Sequence, residues 1–149
     1  MQKTSIAFAL ITLFAVAAVG CNKASTSPEP SEKATAEVKL PELSVPQVAA
    51  ALKDKTAVAV DANNPETREK FGVVPGALLL TDHRGFALSE LPSDKSQPLV
   101  FYCGGTQCRA SDTAAGRAAS AGYEKVSVMR DGIKGWVSAG QATSTAPKS

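Results

Sequence analysis

Short, almost uninterrupted apolar runs alternating with helix-like stretches constrain this chain most. Thr56-Ala57-Val58-Ala59-Val60-Asp61, Ala77-Leu78-Leu79-Leu80, Leu99-Val100-Phe101-Tyr102 and Val126-Ser127-Val128-Met129 are runs of this kind. Runs without a polar alternate residue fit strands buried on both faces, as in a parallel sheet. Between them lie helical patterns over Val48 to Leu52, Glu66 to Phe71, the alanine-rich Ser111 to Ala121, and Ile133 to Ala139. Ser44-Val45-Pro46-Gln47 has the form of a capping box ahead of the first helix, and Gly122 is placed to end the third. A further short strand is expected to open at Leu43, and Asp82 to Pro98 reads as irregular with room for a short helix. The alternation predicts one α/β domain, a mainly parallel central sheet flanked by helices. In such sheets ligands gather at the carboxyl ends of the strands.

One strand end carries chemistry. Leu99 to Tyr102 runs into Cys103-Gly104-Gly105-Thr106-Gln107-Cys108-Arg109, and a helix pattern follows. A thiol at that turn faces loop N–H groups and the positive end of a helix dipole, both of which favour the nucleophilic thiolate. The plainer alternative is a Cys that closes a buried strand as a small inert hydrophobe. The glycine pair after Cys103 favours close backbone approach to an anion.

The ends bound the rest. Met1-Gln2-Lys3 followed by an apolar stretch from Ile6 to Val19 predicts an export signal over residues 1–20. That stretch is shorter than the ~20 residues a membrane-spanning helix needs. Ala18-Val19-Gly20-Cys21 resembles the lipobox of bacterial lipoproteins, with Ala18 where Leu is commoner. The resemblance implies a lipidated Cys21, and Asn22 after it leans towards the outer membrane. The other reading is a plain cleaved signal that leaves Cys21 free or disulfide-bonded. Residues 21–40 are rich in Ser, Thr, Pro, Ala, Glu and Lys and predict a flexible tether, and 141–149 a disordered tail. Residues 41–140 suffice for one core. The expected setting is periplasmic, with membrane contact through the lipid alone.

Of three cysteines, a lipidated Cys21 leaves Cys103 and Cys108. In an oxidising compartment the two could bridge, given Cα atoms within about 7 Å. Net charge is +2, and loss of Lys3 with the signal leaves +1. Without a basic stripe, and with few aromatics, a nucleic-acid partner is not expected. His83 is the single histidine, so a metal site has little support, and no cofactor is implied. Trp136 reads as core, Arg117 and Arg130 as surface charges, and Asp61 as a cap or orienting group.

Three segments together resemble the rhodanese-like sulfurtransferase domain, over about Leu43 to Gly140. Val58-Ala59-Val60-Asp61 and the helix after it look like its first half. Gly72-Val73-Val74-Pro75-Gly76-Ala77 resembles its Gly-His-Ile-Pro-Gly-Ala segment. Ser120-Ala121-Gly122-Tyr123-Glu124-Lys125-Val126-Ser127-Val128-Met129, then Gly132-Ile133-Lys134-Gly135-Trp136, is very like its C-terminal signature. The resemblance implies a monomeric enzyme moving sulfur from a thiosulfate-like donor to a thiol or cyanide through a Cys103 persulfide. Gly104, Gly105, Thr106, Gln107, Cys108 and Arg109 would form its cradle, and Arg109 the charge partner. The chain departs from the family at Val73, where His is usual, and at Asn63, where an Asp-x-Arg usually has Arg. In loops of six residues the closing Arg would fall on Cys108 rather than Arg109.

Three other functions remain open. Cys103 to Arg109 also spells the Cys-x5-Arg loop of phosphatases and arsenate reductases, although Ala110 stands where Ser or Thr usually follows. Cys108 could resolve a persulfide or sulfenic acid on Cys103, or merely pack beneath the loop. A non-enzymatic, membrane-anchored binding module is the last reading.

Overall fold

The computed structural model describes residues 39–146. The expected signal over 1–20, Cys21 and nearly all of the tether lie outside them.

The alternation folds as it predicts. In chain order the elements are α1 (Val45–Lys53), β1 (Val58–Asp61), α2 (Pro65–Phe71), β2 (Leu78–Leu79), a 3-10 turn (Leu88–Glu90), β3 (Leu99–Tyr102), α3 (Ala110–Ser120), β4 (Val126–Met129) and α4 (Gly132–Ser138). The strands form one parallel sheet in the order β2-β1-β3-β4. Val60 pairs with Phe101 and Phe101 with Val128, so β1 and β3 are the covered inner strands.

Strand geometry sorts the side chains. Successive residues point to opposite faces. Leu99 and Phe101 therefore enter one core with Val60, Val128 and the α3 residues Ala114, Ala115 and Ala118. Val100 and Tyr102 enter the other, with Val45 and Val48 of α1 and Ile133 and Trp136 of α4. The same alternation puts Cys103 on the α3 face. Alanines at the α3 contact let that helix lie close on the sheet, and all three are fully buried.

The starts of the helices follow local chemistry. Ser44 N–H donates to Gln47 Oε1 at 2.9 Å, and Pro46 lies in the first turn of α1. Asn64 caps α2 by accepting from the Thr67 N–H at 3.0 Å, with Pro65 as its first residue.

Three local expectations change. The run Ala77 to Leu80 contributes only Leu78–Leu79, half-buried at the sheet edge, because one neighbouring strand covers it instead of two. The strand expected at Leu43 is a single parallel bridge between Glu42 and Val128. The polar segment from Gln141 is not a free tail over its first residues. Val73 and Ser144 exchange two backbone hydrogen bonds of 2.9 Å, and the Trp136 indole N–H donates to Ala142 O at 2.8 Å. Backbone pairing needs no apolar side chains, so composition did not reveal it.

Candidate active site

The loop from Cys103 to Arg109 joins the C-terminal end of β3 to α3. Cys103 is 2% exposed. Its backbone is held from below by α4. Ile133 N–H donates to Cys103 O at 2.8 Å, and Lys134 N–H to Gly104 O at 3.3 Å. Cys108 N–H closes the loop on Gly105 O at 2.8 Å. With these carbonyls engaged, the N–H groups of Gly104, Gly105, Thr106 and Gln107 meet no acceptor among the described residues. Gly132 makes the fit of α4 to the loop possible. Its φ is +62°, and a Cβ there would overlap Cys103 O, Gly105 N and Gly104 C.

Cys103 and Cys108 form a disulfide, with Cα atoms 6.3 Å apart. Ser111, 1% exposed in the first turn of α3, places Oγ 3.3 Å from Cys103 Sγ. A disulfide sulfur carries no proton, so the hydroxyl is the donor.

The expected loop residues are thus adjacent in space, but they differ in exposure. Gly104, Gly105 and Cys108 are half-buried, whereas Thr106 and Gln107 are exposed. Arg109 points outward, its side chain 72% exposed and 3.6 Å from Asp112. Arg130, expected as a surface charge, reaches the same carboxylate oxygen at 2.7 Å and Glu42 at 3.0 Å. Although burial opposes it, pairing with Asp112 and Glu42 raises the Arg130 pKa further. Arg130 therefore ties the end of β4 to the start of α3. His83 lies beside Asp82 at 3.4 Å on a turn, and Arg117 stacks on Phe86 at 5.2 Å.

Beside Asp61, which was expected as a cap or orienting group, sequence reasoning passed over three neighbours, Arg68, Asn63 and Lys134. Asp61 is fully buried at the end of β1, where Oδ1 accepts from Asn63 N–H at 2.7 Å and Arg68 Nε at 3.1 Å. Arg68 from α2 also donates to Asp61 O and Leu80 O. It supplies a guanidinium to the Asp, although the Arg usual two places after it is Asn63 here. The periodic pattern of α2 gave no sign that Arg68 would turn inward. Asn63 is 8% exposed, and its Nδ2 has no partner among the described residues. Its Oδ1 lies 3.8 Å from where a Cβ on Gly104 would sit, so the carboxamide borders the loop. Lys134 runs its aliphatic chain along Gly105 and sets its ammonium 5.6 Å from the Phe71 ring. Departure from the Asp-x-Arg pattern was the available signal for Asn63.

The rhodanese-like domain model matches residues 44–139. This chain belongs to the rhodanese-like domain family. Solved rhodanese-like structures share its fold. The rhodanese-like domain of an Anabaena protein is 21% identical with a TM-score of 0.59, covering 71% of this chain and 80% of that one. A Rhodopseudomonas palustris protein of unknown function, described as a possible tyrosine phosphatase, is 22% identical with a TM-score of 0.58, covering 70% and 85%. The thiosulfate sulfurtransferase of Pseudomonas aeruginosa is 24% identical with a TM-score of 0.55. That match covers 73% of this chain and 21% of the other. Among curated proteins, none matches the chain significantly.

Proposed function

We propose that this rhodanese-like domain is a sulfurtransferase that carries sulfane sulfur on Cys103. The observation that carries the reading is the placing of Cys103 Sγ. It lies at the carboxyl end of an inner strand, 3.3 Å from the Ser111 hydroxyl, at the start of a loop whose amides meet no acceptor among the described residues.

The step begins with the loop reduced. The Cys103 thiolate attacks the outer sulfur of a thiosulfate-like donor. The donor's S–S bond breaks, sulfite leaves with its electron pair, and Cys103 holds a persulfide. A thiol or cyanide acceptor then takes the outer sulfur and returns the thiolate. Amides of Gly104 to Gln107 face the anionic groups in both steps, as fixed dipoles that need no reorganisation. The 11-residue helix α3 adds the positive end of its dipole. The oxyanion-hydrolase reading draws less support, because the arginine of Cys-x5-Arg is exposed and set against Asp112.

The proposal extends to the setting. An export signal over 1–20 and lipid on Cys21 would hold the domain at a bacterial membrane, on the periplasmic side. Intact-mass analysis after thiosulfate treatment tests the chemistry. The reduced Cys108→Ser variant, in which the second loop thiol cannot displace the sulfur, gains one sulfur atom, and Cys103→Ser gains none. A reduced Cys108→Ser variant that gains nothing, or a Cys103→Ser variant that gains as much, overturns the reading.

A further inference from the structure

We infer that Cys108 resolves the Cys103 persulfide, so that the product of the reaction is hydrosulfide and the consumed co-substrate is a dithiol. The inference rests on the sulfurtransferase reading above and names its acceptor chemistry.

Three observations carry it. Cys108 Sγ is bonded directly to Cys103 Sγ, so it reaches the inner sulfur of a persulfide without any element having to move. The turn that brings it there is tied by its own backbone, Cys108 N–H to Gly105 O at 2.8 Å. Exposure is unequal: Cys103 is 2% exposed, whereas Cys108 is half-buried and nearer the surface. An outside thiol therefore has poorer access to Cys103 than Cys108 has.

The chemistry balances. The Cys108 thiol gives up its proton, and its sulfur attacks Cys103 Sγ. The bond from Sγ to the outer sulfur breaks, and that sulfur leaves with the electron pair and the proton as hydrosulfide. Cys103 and Cys108 are left as the disulfide seen here. A dithiol reductant then attacks the more accessible Cys108 Sγ, and Cys103 leaves as a thiolate facing the Ser111 hydroxyl. The reductant's second thiol displaces Cys108 from the mixed disulfide. Over one cycle thiosulfate and a dithiol become sulfite, hydrosulfide, a disulfide and one proton released to solvent.

Single turnover without acceptor tests this. The full chain, with Cys21→Ser throughout so that only loop thiols remain, is reduced, freed of reductant and mixed with thiosulfate. The expected result is one equivalent each of sulfite and sulfide, with Cys103 and Cys108 oxidised to the disulfide. Adding Cys108→Ser should leave sulfite release and one retained sulfur atom, with sulfide release at least tenfold lower. Sulfite release with a persulfide retained beside a free Cys108 thiol would overturn the inference and leave the sulfurtransferase reading standing. Release of neither product would overturn both. In turnover, dithiothreitol should regenerate the loop at least tenfold faster than the same thiol concentration of 2-mercaptoethanol, and equal rates would count against the dithiol step.

Discussion

Gly132, at the start of α4, occupies the space beneath the Cys103 carbonyl that any side chain would need, with φ at +62°. The active loop is thereby shaped by a residue far along the chain, and Ile133 N–H fixes the same carbonyl at 2.8 Å.

Gly132→Ala should cost about 1–2 kcal/mol from the left-handed backbone alone, and more because the loop must shift. Gly76→Ala is the control, since Gly76 has φ +75° with nothing near its missing Cβ. Chemical denaturation should show Gly132→Ala the less stable of the two. Sulfur uptake should fall at least tenfold in Gly132→Ala and stay near wild type in Gly76→Ala. Equal behaviour of the two variants would refute the packing argument.

Arg68 is 11% exposed and holds a fully buried Asp61. Removing one partner of a buried pair typically costs about 3–5 kcal/mol. Arg68→Ala should lose stability on that scale in urea titration. Arg68→Lys should recover only part of it, because one ammonium cannot reproduce the guanidinium's contacts with Asp61 Oδ1, Asp61 O and Leu80 O. A loss below about 1 kcal/mol in Arg68→Ala would show the pair to be dispensable, as exposed pairs often are.

The Tyr102 hydroxyl is buried and accepts from Val74 N–H at 3.0 Å. Burial, with the Asp61 charge beside it, pushes the phenol's pKa far above its ordinary 10.0. A raised folded pKa means stability that is complete below pH 10 and declines as the unfolded phenol ionises above it. Tyr102→Phe should be less stable than wild type by about 1–2 kcal/mol at neutral pH, having stranded the Val74 N–H. The gap should narrow above about pH 10. Denaturation midpoints of both proteins from pH 7 to 11 measure it, and a constant gap would exclude the linkage.

Ser111→Ala removes the donor facing Cys103 Sγ. Hydrogen bonds to charged groups contribute about 1.5–3 kcal/mol, so sulfur uptake by the reduced loop at pH 7 should slow about tenfold or more. Ser111→Thr, which keeps the hydroxyl, should recover part of the rate. Stopped-flow sulfite release reads both, and an unchanged rate in Ser111→Ala would remove Ser111 from the mechanism.

What the sequence determined alone is local. Apolar runs placed β3 and β4 at their observed bounds: β3 is buried along its whole length, and in β4 only the half-buried Ser127 interrupts the run. The Cys103-Gly104-Gly105 turn before a helix pattern marked the candidate site, since a strand–loop–helix junction is written in consecutive residues. The tertiary structure decided what depends on residues distant in sequence. Arg68 and Asp61 meet because α2 folds back over the end of β1, and an arginine in a polar helix carries no local mark of that. Arg109 turns outward because Asp112 lies beside it and Arg130 shares that carboxylate, a choice between partners that spacing cannot make. The hold of α4 on the Cys103 carbonyl likewise exists only once β3 and β4 are paired and α4 packs under the loop.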